Sequence, residues 1–291
     1  MAIFNLGSIN IDLVYNVPHF PTPGETLHSE GFTKGLGGKG ANMSIAIAKA
    51  GGNVRHIGAV GTDGLWARDL LSTAGVDVGF VDEIDVATGH AVINVDASGE
   101  NTIVLFAGAN VELSKDQISR ALKTGKPGDW LLLQNETSLG AYSVKLAREL
   151  GMKIAYAAAP FEAAAAMELI DLVDLIAVNE IEANQLSEAL AVPVEEINVD
   201  KLLVTRGSKG IWYQDNGQIS EQTVFEVTPI DTTGAGDTYL GYFLAGIDDG
   251  LDVNFALRRA AAASSIQITR PGAAIAIPEI SEVLTFLDEN T

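Results

Sequence analysis

Trp130-Leu131-Leu132-Leu133, Tyr142–Leu150 closed by Gly151, Ile154-Ala155-Tyr156-Ala157, Leu172–Val178, Glu180–Leu190 and Leu202–Thr205 form the run that decides the fold. Short, β-rich apolar segments alternate there with segments of helical spacing. Upstream the rhythm continues. Ile3–Leu6 and Val54–Val60 read as buried strands, and Ala41–Ala50, Leu65–Ala74 and Ser114–Lys123 as helices. Gly51-Gly52 and Gly151 stand where a glycine in the left-handed region ends a helix. Downstream, Tyr239–Ile247 and the stretch through Arg258-Arg259 to Ala260–Ala263 read as helices, with the arginine pair either on an exposed face or placed to meet phosphates. Alternation of this kind predicts a doubly wound α/β fold, a mostly parallel sheet flanked by helices on both faces.

Two regions break the rhythm. His90–Asp96, Ala97-Ser98-Gly99 and Asn101–Phe106 read as a β-hairpin with period-2 patterning. Ile11 to Gly37 is extended, since Pro18, Pro21 and Pro23 exclude a helix. Such early β segments do not belong to a parallel sheet; they suit a small separate sheet of the kind that covers a site. A third hairpin is expected within Gly210–Val227.

The 291 residues suit one large α/β domain or two small ones. Hydrophobic residues make up 47% and charged residues 19%, enough to bury a core and to exclude wholesale disorder. With 18 basic and 38 acidic residues the net charge is −20, which repels phosphate backbones and anionic lipid. Nucleic acid and membrane surfaces are therefore not expected partners. No cysteine is present, which excludes disulfides, thiolate nucleophiles and Cys-based zinc sites. The start lacks the basic and apolar regions of a signal peptide, and a cytoplasmic protein is expected.

The chemistry concentrates in three glycine-rich segments. Asp231-Thr232-Thr233-Gly234-Ala235-Gly236-Asp237 leads into an apolar helix. Its glycines let free N–H groups converge where the helix dipole adds positive charge, an anion hole needing no Lys or Arg. Asp237 in the first turn is either a carboxylate that stabilises the helix or a base beside that hole, as phosphoryl transfer to an alcohol requires. Gly37-Gly38-Lys39-Gly40-Ala41-Asn42 also opens a helix but matches neither a Walker A loop nor a dinucleotide fingerprint. Gly38 admits a ligand to the backbone, while Lys39 and Asn42 offer donors to hydroxyls. Gly7-Ser8-Ile9-Asn10-Ile11-Asp12 places Asn10 and Asp12 on one side of an extended chain. That pair is either a solvated strand end or a grip on vicinal hydroxyls.

Together these segments resemble the signature segments of the ribokinase family of carbohydrate kinases, in order and at suitable spacing. Pro21-Thr22-Pro23-Gly24-Glu25-Thr26, Gly58-Ala59-Val60-Gly61-x-Asp63, Asn179-Glu180-x-Glu182 and Thr205-x-Gly207-Ser208-x-Gly210 add to the match, which spans the chain. The resemblance implies one α/β domain over residues 1–291, with a discontinuous β lid from about 11–37 and 88–107. It implies transfer of the ATP γ-phosphate to the primary hydroxyl of a pentose, D-ribose above others. Asp237 would be the base and Gly234, Ala235 and Gly236 the anion hole. Asn10, Asp12, Gly38, Lys39, Asn42 and Glu136 would hold the sugar. Asn179 and the loop Thr205, Arg206, Gly207, Ser208, Lys209, Gly210 would cradle ATP. Glu182 would organise Mg²⁺ through water, and Asp231, Thr233, Gln267, Arg270 and Gly272 would supply oxygens to a monovalent cation, K⁺. A homodimer through the lid is implied as well.

Three departures stand out. The family has Asn-Pro or Asp-Pro after the strand near 154–157, where this chain reads Ala157-Ala158-Ala159-Pro160. Ala276 stands where a serine would serve the monovalent ion, and Ala191–Lys201 is short. The alternatives are a kinase of another small alcohol (fructose, a nucleoside or a 2-keto-3-deoxy sugar acid) and a sugar- or nucleotide-binding regulator with impaired catalysis.

Overall fold

A computed structural model describes residues 1–290. The chain opens with β1 (Ala2–Leu6), β2 (Asn10–Asn16), β3 (Gly31–Gly37), α1 (Lys39–Lys49), β4 (Asn53–Val60), α2 (Leu65–Thr73), β5 (Asp77–Glu83), β6 (Gly89–Val95) and β7 (Asn101–Phe106). It continues through α3 (Lys115–Leu122), β8 (Trp130–Leu133), α4 (Gly140–Glu149), β9 (Lys153–Ala157), α5 (Ala163–Leu169), β10 (Leu175–Asn179) and α6 (Glu180–Leu190). Then come β11 (Lys201–Thr205), β12 (Ile211–Asp215), β13 (Gln218–Gln222), α7 (Ala235–Asp248), α8 (Val253–Gln267) and α9 (Ile280–Glu289).

The large sheet has the order β13-β12-β11-β10-β9-β8-β1-β4-β5. Its pairs are parallel from β11 through to β5, and the β12–β13 hairpin adds two antiparallel strands at one edge. Successive side chains alternate between two cores. Ile3, Trp130 and Leu132 pack toward α1, α7 and α8. Phe4, Leu131 and Leu133 pack toward α3, α4 and α6. Each fully buried aliphatic side chain contributes about 1.5–3 kcal/mol, and burial on both faces is why these strands read as unbroken apolar runs.

From β1 the chain winds first to β4 and β5, then crosses back to β8 and onward to β11. The winding direction therefore reverses between β1 and β8, and ligands of such sheets sit beyond the strand C-termini at that reversal. A second sheet, β3-β2-β6-β7, stands apart from the first. Its β6–β7 turn is tied by Asp96, which accepts from Ser98 N and Glu100 N.

The structure corrects several details. Leu172 lies in a short 3₁₀ turn, and the strand expected from there begins at Leu175. Asp174, just before that strand, accepts on its carboxylate from Ile154 N and Arg148. β5, with its acidic ends and one buried side chain, was not evident from the sequence. Arg259 is buried rather than exposed, its guanidinium donating to Tyr242 O at 3.1 Å.

Candidate active site

The glycine segments meet at the winding reversal. Gly7 follows β1 and Gly40 lies in the first turn of α1, so close that a β-carbon on either would overlap the other's backbone. Asn5 Nδ2 locks this contact by donating to Gly40 O at 2.8 Å and Ser44 Oγ at 2.9 Å. Gly38, at φ 93°, turns β3 into α1 and sits against Ser8 O and Asn10 N. This geometry brings Lys39 and Asn42 to the side of Asp237.

Glu136, just beyond β8, accepts from Ser8 Oγ and from Lys39 N. Asn10 Oδ1 accepts from Asn110 Nδ2 at 2.7 Å, and Asn110 Oδ1 accepts from Ile9 N at 2.9 Å. Asn110 was missed in the sequence because no glycine motif surrounds it; it orients Asn10 from 100 residues away. The Asp12 carboxylate lies directly over Gly37. Burial, then the charge of Glu136, pushes its pKa up to about 6.

Gly234, at φ 76°, starts α7. Ala235 N turns back to Thr232 O, while the amides of Gly236 and Asp237 stand in the first turn, where helix geometry gives them no internal acceptor. Asp237 itself is buried, and its Oδ2 accepts from Asn42 Nδ2 at 2.9 Å. Burial raises its pKa to about 6 against the pull of Lys39 and Asn42, with Glu136 and Glu182 adding to the rise. A carboxylate poised near neutrality beside a helix N-terminus has the proton affinity a general base needs. Asn42 Oδ1 is buried without a partner, an acceptor free for a hydroxyl.

A cavity of about 250 Å³ joins these groups to the nucleotide side, lined by Lys39, Asn179, Glu182, Thr205, Gly236 and Asp237 among others. Asn179 caps α6, accepting from Glu182 N, while Glu182 accepts from Asn179 N in return. Burial raises the Glu182 pKa. The remaining loop residues lie outside this cavity. Arg206 pairs with Glu221 and Lys209 with Glu180, so neither cation stands free, and Gly207, Ser208 and Gly210 shape the turn between them.

Asp231, Thr233, Gln267 and Gly272 are brought together. Asp231 accepts from Thr233 N and Gly272 N, both at 2.9 Å. Against partial burial, these bonds hold its pKa below the usual carboxylate value. Thr233 O and Gly272 O both accept from Gln267 Nε2, at 2.7 Å and 3.5 Å, so the two carbonyls face one point. Arg270 is paired with Glu282. Glu25 stays outside the site and braces the proline-rich turn, accepting from Thr22 N and pairing with His19. His56 is buried and structural, between Ser44 Oγ and Gly7 O.

Fold and site together define a sugar kinase that uses ATP. The chain matches the model of the pfkB family of carbohydrate kinases over residues 2–280, and it belongs to that family. It is 35% identical to the ribokinase of Haemophilus influenzae, with 97% of each chain covered. The solved ribokinase of Thermotoga maritima superposes with a TM-score of 0.87 at 31% identity, covering 99% of both chains. That of Arabidopsis thaliana, complexed with ribose and ATP, gives 0.86 at 28% identity over 98% of both. No helix among the described residues is long and apolar enough to cross a membrane.

Proposed function

We propose that the chain transfers the γ-phosphate of ATP to the primary 5-hydroxyl of D-ribose. The observation that carries this reading is the buried Asp237 carboxylate at the glycine-rich start of α7, tied through Asn42 to the segments suited to hold a sugar. Asn10, Asp12, Asn42 and Glu136 accept from or donate to the sugar hydroxyls, with Gly38 and Lys39 completing the wall. Asp237 takes the 5-hydroxyl proton as that oxygen bonds to the γ-phosphorus. The bond from phosphorus to the bridging oxygen breaks, ADP leaves, and the Asp237 proton passes to solvent. The free amides of Gly236 and Asp237, presented by the Gly234-Ala235 turn, and the helix dipole stabilise the migrating phosphoryl.

Glu182, a desolvated carboxylate facing the cavity, fits a role in organising Mg²⁺, which would neutralise phosphate charge. For a K⁺ site on Asp231, Thr233, Gln267, Arg270 and Gly272, the support is the Thr233 and Gly272 carbonyls facing one point, with the buried, unpartnered Gln267 Oε1 beside them. The names of the relatives support ribose over other alcohols. The four carboxylates Asp12, Glu136, Glu182 and Asp237, set against the single cation Lys39, disfavour an anionic sugar acid. A coupled ADP-release assay with ribose, fructose, adenosine and a keto-deoxy acid, run in K⁺ and in Na⁺ buffer, tests the reading. Ribose is expected to give the highest kcat/KM, and K⁺ the higher rate; another substrate ranking first would overturn the ribose assignment.

The whole chain is read as one cytoplasmic domain whose second sheet is a lid, joined to a second copy. β7 supports this: Ile103, Val104, Leu105 and Phe106 are all exposed on an edge strand, a liability that pairing removes. Light scattering should return twice the chain mass, and a concentration-independent monomer would contradict the pairing.

A further inference from the structure

The Ala157-Ala158-Ala159-Pro160 stretch walls the phosphoryl cavity with backbone and methyl groups alone, Ala157 and Ala159 facing into it. With no polar side chain of its own, that wall is held on one side by the bond from Ala158 N to Ala177 O and on the other by Asn135. Asn135 N donates to Ala159 O at 3.1 Å. Its side-chain Nδ2 donates to Pro160 O at 2.9 Å. Its Oδ1 accepts from the hydroxyl of Tyr156 at 2.7 Å. Tyr156 is fully buried in β9 one residue before the wall, and burial pushes its phenol up to about 12, so the hydroxyl stays a donor. Asn135 also directly precedes Glu136, which holds Ser8 and Lys39. Asn135 thus contacts the phosphate side of the site directly and the sugar side only as the chain neighbour of Glu136.

We infer that Asn135 is a positioning residue for phosphoryl transfer, setting the cavity wall through its bonds to Tyr156, Ala159 and Pro160. The inference rests on the kinase reading above. The three bonds share one residue, and coupled hydrogen bonds of this kind act as a unit, so breaking one member releases the others. A wall displaced by a fraction of an ångström misplaces the γ-phosphate against the attacking hydroxyl, and small misplacements are costly in rate.

The test compares wild type, N135L, Y156F and the double variant in steady-state kinetics with ribose and ATP, alongside thermal melting. N135L is expected to lower kcat about tenfold and raise the KM for ATP, with the KM for ribose within about twofold. Y156F, which removes one oxygen atom, should show the same split at about threefold, and the double variant should be no worse than N135L. A kcat within twofold of wild type in N135L, equal shifts in both KM values, or a multiplicative double variant would overturn the inference. If N135L does not fold, Y156F alone decides by the same split. Absence of turnover in the wild type would overturn the kinase reading itself, whereas turnover indifferent to these changes overturns only the role of Asn135.

Discussion

Asp237→Asn should lower kcat by ~10²–10⁴-fold, the usual loss when a general base is removed, and should make the protein more stable. The two effects have one origin. Burial raises the Asp237 pKa from 3.8 to about 6, so the folded chain holds that proton more tightly than the unfolded chain does. The associated stability is fully present below the unfolded value and is lost as pH rises through about 6. At neutral pH the ionised carboxylate therefore costs roughly 3 kcal/mol, from ~1.36 kcal/mol per pKa unit. An asparagine keeps an oxygen for Asn42 Nδ2 without that cost. The variant should melt of the order of 5 °C higher above pH 6, with the gap shrinking toward pH 4. Wild-type turnover in the variant would remove Asp237 from the base role, and an unchanged melting temperature would deny its strained burial.

Gly37→Ala should strike the sugar alone. Gly37 occupies an ordinary extended conformation, so alanine suits its backbone, but the new methyl would overlap the Asp12 carboxylate. A carboxylate is the movable end of a side chain, so Asp12 swings aside and the sheet persists. Losing one hydrogen bond to a charged group costs about 1.5–3 kcal/mol, which corresponds to ~10–100-fold. The KM for ribose is expected to rise by that factor, with the KM for ATP within twofold and melting nearly unchanged. Equal loss of affinity for both substrates would show that Asp12 does not touch the sugar.

Much of this was legible in the chain because the site is built from local motifs. The glycine segments announce the ends of β1 and the starts of α1 and α7, since a close backbone approach or a left-handed turn admits little else. The strands of the large sheet were legible because burial on both faces leaves unbroken apolar runs. What escaped were groups whose role depends on distant partners. Asn110 acts on Asn10 from a short 3₁₀ turn with no motif, and Asn135 becomes informative only when Tyr156 and Pro160 are seen beside it. β5 carries acidic residues at an edge, where pairing rather than hydrophobicity defines the strand. Arg259 lies beside Arg258 in the sequence, yet it is buried under Tyr242, a contact made by packing between α7 and α8.

The central claim is that a buried Asp237, ionised and aimed at the sugar hydroxyl, drives transfer from ATP. The pH dependence of kcat/KM for ribose tests it most directly, because that ratio reports the free enzyme's essential groups. The expected profile climbs with decreasing acidity through a midpoint near pH 6, where Asp237 loses its proton, and then levels off. Asp12 ionises in the same range and would steepen the acid limb. In D237N the residual activity should lose the part of that limb belonging to Asp237 and retain at most a single ionisation. A wild-type profile flat from pH 5 to pH 8, or an acid limb identical in D237N, would contradict the claim.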